Sequence, residues 1–261
     1  LCPNGGDYLA DGTIKILTDL DTAGIKKGLS NLGSTVKSGV SGITKTISGI
    51  SAAIGGISLG TIIKYNAQME QYQTSFTTML GSAEKAQSMI ANLKDFADKT
   101  PFEMSDLSKG AQTLLAFGTS AEDVMPDLKM LGDISQGDKT KFDSLTLAFS
   151  QISSAGNLSG QDLLQCINAG FNPLNEISKK TGESMGDLRK RMEAGGISAQ
   201  EVAEAFKSAT SEGGQFYNAM QNQSKTFNGQ LSTLKDNVMT FLGDVSQGMQ
   251  DTLKNDLLPT A

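Results

Sequence analysis

Gly156-Asn-Leu-Ser-Gly-Gln-Asp-Leu-Leu-Gln-Cys-Ile-Asn-Ala-Gly-Phe-Asn-Pro173 carries a start, a face and a stop for one helix. Ser159 stands at an N-cap position. Asp162, three residues on, can accept the Ser159 backbone N–H and sits at the positive end of the helix dipole. Leu163, Leu164 and Ile167 form the expected apolar face, with Cys166 beside them. Gly170 ends the helix in a left-handed turn, and Pro173, lacking an N–H, blocks continuation of the same hydrogen-bond ladder. The segment reads as a packed hinge between helices, not as a reaction centre.

The same punctuation repeats on both sides. Downstream, Leu174 and Ile177 mark a short helix, and Ser184 with Asp187 opens another bearing Met185, Leu188 and Met192, which Gly195-Gly196 breaks. Ser198 with Glu201 then leads Val202, Ala205 and Phe206. Gly213 to Tyr217 interrupts again, and a long helix is expected from about Thr226, with a near-heptad stripe from Phe227 to Leu253. Upstream, Met69, Tyr72, Phe76, Met79 and Leu80 end at Gly81, and Met89, Ile90, Leu93, Phe96 and Ala97 end at Thr100-Pro101. Leu107, Leu114, Leu115 and Phe117 close at Gly118; Ser120 with Asp123 opens Val124, Leu128, Leu131 and Ile134 up to Gly137. Phe142, Leu145, Leu147, Phe149 and Ile152 lead back to the opening stretch.

The composition agrees with an all-α fold. The chain has 261 residues, enough for one large or two modest domains, with 38% hydrophobic residues, 29 glycines and no tryptophan. Few aromatics and many helix stops predict numerous short helices with thin packing.

The N-terminal region differs. Residues 1–11 carry no initiator Met and no basic or apolar signal segment, and read as a non-native or disordered leader. Ile14 and Ile16 around Lys15 suggest one short strand. A helical stripe follows through Ile25, Leu29, Leu32 and Val36, then Val40, Ile43, Ile47, Ile50, Ile54 and Ile57 in alternating steps of three and four. Isoleucine at both core positions of such a repeat leans toward trimers or higher states, so the stripe can self-associate; an amphipathic helix folded back on its own domain gives the same pattern. Six glycines between Gly39 and Gly60 each weaken the helix by up to about 1 kcal/mol, which makes it conditional on a partner. Thr46 to Ile63 is uncharged, flanked by Lys45 and Lys64, and holds Gly56-x-x-x-Gly60, so insertion of residues 40–63 into a host membrane is the alternative reading. Half of that segment is Thr, Ser and Gly, too polar for an ordinary spanning helix. The expected organisation is a leader at 1–11, a strand and coiled-coil-like helix at 12–64, a helical domain at 65–224 and an outgoing helix at 225–261.

Four blocks resemble phage tail tape measure proteins. Gly156, Gly160, Asp162, Leu163, Gln165 and Gly170 fit that family's G-x-x-x-G-x-[ED]-L-x-Q-x-x-x-x-G segment, which Pro173 follows here. Phe96 to Phe102, with Thr100, Pro101 and Phe102, resembles its FA-x-x-TPF step, and Leu131-Gly132-Asp133 its LGD step. Ser224 to Asn237, with Thr226, Gly229, Ser232 and Asp236, is similar to its S-x-T-x-x-G-x-x-S-x-L-x-D block. The resemblance implies a structural protein of which several copies lie along the tail axis while tube subunits polymerise around them, the full length setting the tail length. It implies tail-tube protein, assembly chaperones and tail-tip or terminator proteins as partners. The implied location is the virion tail lumen, after assembly in the host cytoplasm, with release on genome delivery. This portion would supply a head or anchor end.

Chemistry is narrowed by what the chain lacks. It has no histidine, which removes imidazole general bases, His-bearing zinc sites and Ser-His or Cys-His catalysis. Two cysteines, Cys2 and Cys166, make no disulfide framework, and Cys166 reads as a small core residue. Net charge is −6 and no basic stripe tracks phosphates, so no specific nucleic acid binding is expected; Arg189 to Arg191 is the densest basic spot. A carboxylate-pair glycan hydrolase needs only Asp or Glu, and Glu183-Ser184 matches the start of a transglycosylase motif. Ser184 and Asp187 read better as a helix cap. No catalytic, cofactor or metal site is expected.

Overall fold

The computed structural model describes residues 59–226 together with 239, 240 and 243. The expected strand, the stripe from Val40 to Ile57 and nearly all of the outgoing helix lie outside them. Among the described residues ten helices form and no strand does, in accord with the all-α expectation. They are α1 (Leu59–Leu80), α2 (Ala83–Ala97), α3 (Met104–Ala116), α4 (Ala121–Ser135) and α5 (Lys139–Ala155). The shorter ones follow: α6 (Gly160–Asn168), α7 (Pro173–Thr181), α8 (Met185–Glu193), α9 (Ala199–Thr210) and α10 (Ala219–Ser224).

Local chemistry starts these helices. Ser82, Ser120, Asp138, Ser159, Asn172, Ser184 and Ser198 each stand at an N-cap and accept a first-turn N–H through the side chain. Such caps contribute about 1 kcal/mol apiece. Ser159/Asp162 and Ser198/Glu201 form the full reciprocal box. At Ser120 and Ser184 the acid three residues on accepts the serine hydroxyl, at 2.7 Å in both cases. Pro173 sits in the first turn of α7, where its missing N–H leaves no helix bond unmade.

Packing is organised on α5, which touches α3, α4, α6 and α9. Its Phe142 and Phe149 lie two turns apart and serve two aromatic groups. Phe142 meets Phe102 with centroids 4.6 Å apart, and Phe149 meets Phe206 at 5.2 Å. Phe171 lies edge-on to Phe206 at 4.5 Å and extends that second group toward Phe216. Each buried ring contributes about 2–3 kcal/mol by leaving water. One buried cluster runs without a break from Phe76 on α1 to Met220 on α10.

Several stripe residues face solvent instead. Leu164 is 60% exposed and Ile167 40%, while Leu163 and Cys166 are buried. Successive helical residues turn by about 100°, so α6 presents Asp162, Leu163 and Cys166 to the core and turns Leu164 and Ile167 aside. Met79, Phe117 and Leu147 are likewise exposed, each on the flank of a stripe whose other members are covered. Helix α1 begins at Leu59 and buries Ile62 completely, so residues 64 and 65 lie inside one helix. The interruption after Gly213 gives way to α10, a short helix ending before Thr226 that the stripe pattern does not show.

Candidate functional site

The residues that resemble family steps hold helices together. Phe102 is fully buried on Phe142, and Thr100 is buried beside it in sequence. Gly132 faces the same ring: a Cβ there would lie 3.2 Å from Phe102 Cε2 and 2.7 Å from Met220 Sδ. Gly137, with φ of +81°, has Pro101 so close that a Cβ would stand 2.6 Å from Pro101 Cγ. Both the backbone angle and the contact require glycine. The TPF and LGD steps therefore meet at one junction.

Asp133 completes the junction. Its carboxylate, 1% exposed, accepts the Met220 backbone N–H at 3.0 Å and pairs with Lys129 Nζ at 2.8 Å. Met220 is the second residue of α10, whose N-cap Asn218 is left-handed and supplies no side-chain cap. An acid on another helix thus takes the place of a local cap, accepting an otherwise orphan N–H at the positive helix end. From α10 the chain enters the Ser224 block: Thr226 Oγ1 donates to the Gln223 carbonyl at 2.7 Å. Gly229, Ser232 and Asp236 lie outside the described residues. Farther on, Tyr65 Oη and Thr240 Oγ1 are 3.2 Å apart, and Asn66 Nδ2 donates to the Gly243 carbonyl at 3.1 Å. The chain beyond α10 thus touches α1 again.

The opening stretch makes its contacts elsewhere. Leu158 N–H donates to the Ile197 carbonyl and Ala199 N–H to the Gly156 carbonyl, both at 2.9 Å, tying the start of α6 to the start of α9. Gly170 is left-handed, as the stop reading requires, and Gly156, which ends α5, is left-handed too. Asp162 closes the box, Leu163 is buried and Gln165 Nε2 reaches Gln151 Oε1 at 3.5 Å. Nothing in the described structure requires glycine at 160.

Reactive groups are placed for packing. Cys166 is fully buried, and burial together with the Asp162 carboxylate pushes its thiol up to about 12, far from thiolate chemistry at neutral pH. Glu183 lies in the turn before α8, 3.4 Å from Arg191, which also pairs with Glu201 at 2.8 Å. Among the described residues no group of three or more Cys, Asp or Glu side chains is placed to hold a metal ion. Also among them, no helix is long and apolar enough to cross a membrane.

Sequence reasoning missed two features. Asp133 is visible as part of a motif, but its partner is 87 residues away. A groove between α4 and α9 holds Asp127, whose only sequence signal is an acid four residues after Asp123 next to Pro126.

The described helices cap, staple and space one another around one buried core. The tape measure protein family matches residues 60–247, and the chain belongs to that family of phage tail structural proteins. Comparison with curated proteins and with solved structures gives no match.

Proposed function

We propose that this chain is an assembly segment of the tape measure protein that occupies the tail-tube lumen, sets tail length through the length of the complete protein, and leaves the tail on genome delivery. The family match over residues 60–247 carries this reading. The described helices would act as an anchor that holds the outgoing chain by way of α10 and Gly243. Tail-tube protein, assembly chaperones and tail-tip or terminator proteins are the partners expected of such a segment. Self-association as a trimer or higher state is assigned to the stripe Val40, Ile43, Ile47, Ile50, Ile54 and Ile57. We read the segment as non-enzymatic.

Deleting residues 60–226 in frame from the phage gene tests the reading. Absent tails, or tails of uncontrolled length, are expected. Tails of normal length and number would refute it. Protein retained in particles after DNA release would refute the lumen-and-release part alone. The uncharged run Thr46 to Ile63 favours a second reading, insertion into the host membrane during delivery, which liposome partitioning of the chain would support.

A further inference from the structure

Helices α4 and α9 leave a groove of about 460 Å³ between them. It follows α4 from Asp123 to Asp133 and α9 from Gln200 to Thr210, a length of about 15 Å or three helical turns. Pro126, Met130, Phe149 and Ala203 give it apolar surface. Its charges are unevenly satisfied. Asp133 is bound by Lys129 and Met220, and Glu204 is paired with Lys180. Among the described residues Asp127, half-buried, has neither an ion pair nor a hydrogen bond, and Asp123 one turn earlier is held by its own cap serine. Lys207, also in the groove, has no ion-pair partner among the described residues.

We propose that this groove is a docking site for an amphipathic helix of a partner protein, with apolar residues on Met130, Phe149 and Ala203 and a Lys or Arg on Asp127. A half-buried carboxylate without a counter-ion is held up to about 6 by burial and then by Asp123, so an arriving cation relieves an unfavourable charge that solvent only partly screens. Apolar anchors spaced three and four residues apart match a groove of three turns. An acidic helix is disfavoured by Asp123 and Asp127 together. A bare cation gains nothing from the apolar floor. The inference does not depend on the role proposed above, since it concerns binding by the purified chain.

The probe is a labelled helical peptide of leucine and lysine, about 18 residues long and apolar along one face, with a glutamate-for-lysine version as its counterpart. Fluorescence anisotropy at physiological ionic strength reads binding. The lysine peptide is expected to bind and the glutamate peptide not. Asp127→Asn should weaken binding about tenfold, as loss of a partly desolvated charge pair does. Ala203→Trp, which fills the floor, should abolish it, Lys207→Glu should tighten it, and Glu193→Gln on α8 should leave it unchanged. Asp127→Asn removes no hydrogen bond or ion pair among the described residues and tests the site independently of how Ala203→Trp folds. Absence of binding, equal binding of both peptides, or wild-type binding by Asp127→Asn would each overturn the proposal.

Discussion

The Asp133 carboxylate on α4 holds the Met220 backbone N–H at the start of α10 at 3.0 Å, in a fully enclosed position. Asp133→Ala leaves that N–H buried without an acceptor, which costs about 2–3 kcal/mol. Asp133→Asn keeps an acceptor oxygen and should lose about 1 kcal/mol or less. Urea unfolding of both variants checks the order, and equal midpoints would mean that the bond contributes nothing.

Gly132 gives Met220 its space. Gly132→Ala gains up to about 1 kcal/mol of helix propensity but overpacks Met220 Sδ and Phe102 by about 1–3 kcal/mol, so net destabilisation is expected. In a Met220→Ala background the same substitution should be neutral or favourable. A double-mutant cycle measures this coupling, and strict additivity would show that the two side chains do not meet.

Asp127 makes stability depend on pH. Its folded value of about 6 lies above the ordinary 3.8, so between them the folded chain keeps a proton that the unfolded chain has lost. Stability therefore falls as pH rises through that window, and the loss persists above it. Asp127→Asn should stabilise by about 1 kcal/mol at neutral pH, after allowance for solvent screening of a half-exposed carboxylate, and by almost nothing below the unfolded value. Denaturation at the two pH values decides it, and a gain that persists in acid would place the effect outside ionisation.

Glu201 works in the opposite sense. Burial raises its carboxyl, but the Ser198 N–H and Arg191 outweigh burial and bring it below its ordinary 4.5. Its stabilisation is present above 4.5 and is lost as pH falls through the lowered folded value. Ser198→Ala should cost about 1–2 kcal/mol and Ser184→Ala about 0.5–1 kcal/mol, because only the former belongs to a full box. Thermal unfolding that ranks them the other way would contradict this.

Cys166 should be inert. In a Cys2→Ser background, a thiol reagent is expected to label the folded chain only at the rate of unfolding and to label it at once in urea. Fast labelling without denaturant would show that the helix carrying Cys166 opens on its own.

Much of the fold was legible because its causes are local. Ser159, Ser184 and Ser198 answer an N–H three residues away, and Gly170 needs only its own backbone angle, so caps and stops can be read without knowing what packs where. Burial is a different matter. Leu163 and Leu164 are equally apolar and adjacent, yet only contact with the rest of the core separates the covered residue from the exposed one.

What the sequence by itself determined is therefore the helical punctuation between Gly81 and Gly213 and, through four ordered blocks, the family. What only the tertiary structure decided is the junction of Pro101 with Gly137, of Phe102 with Gly132, and of Asp133 with Met220, together with the groove that leaves Asp127 unpaired. Those relationships join residues up to 87 positions apart. The chain approaches itself there through the packing of whole helices, for which neither periodicity nor capping chemistry carries a signal.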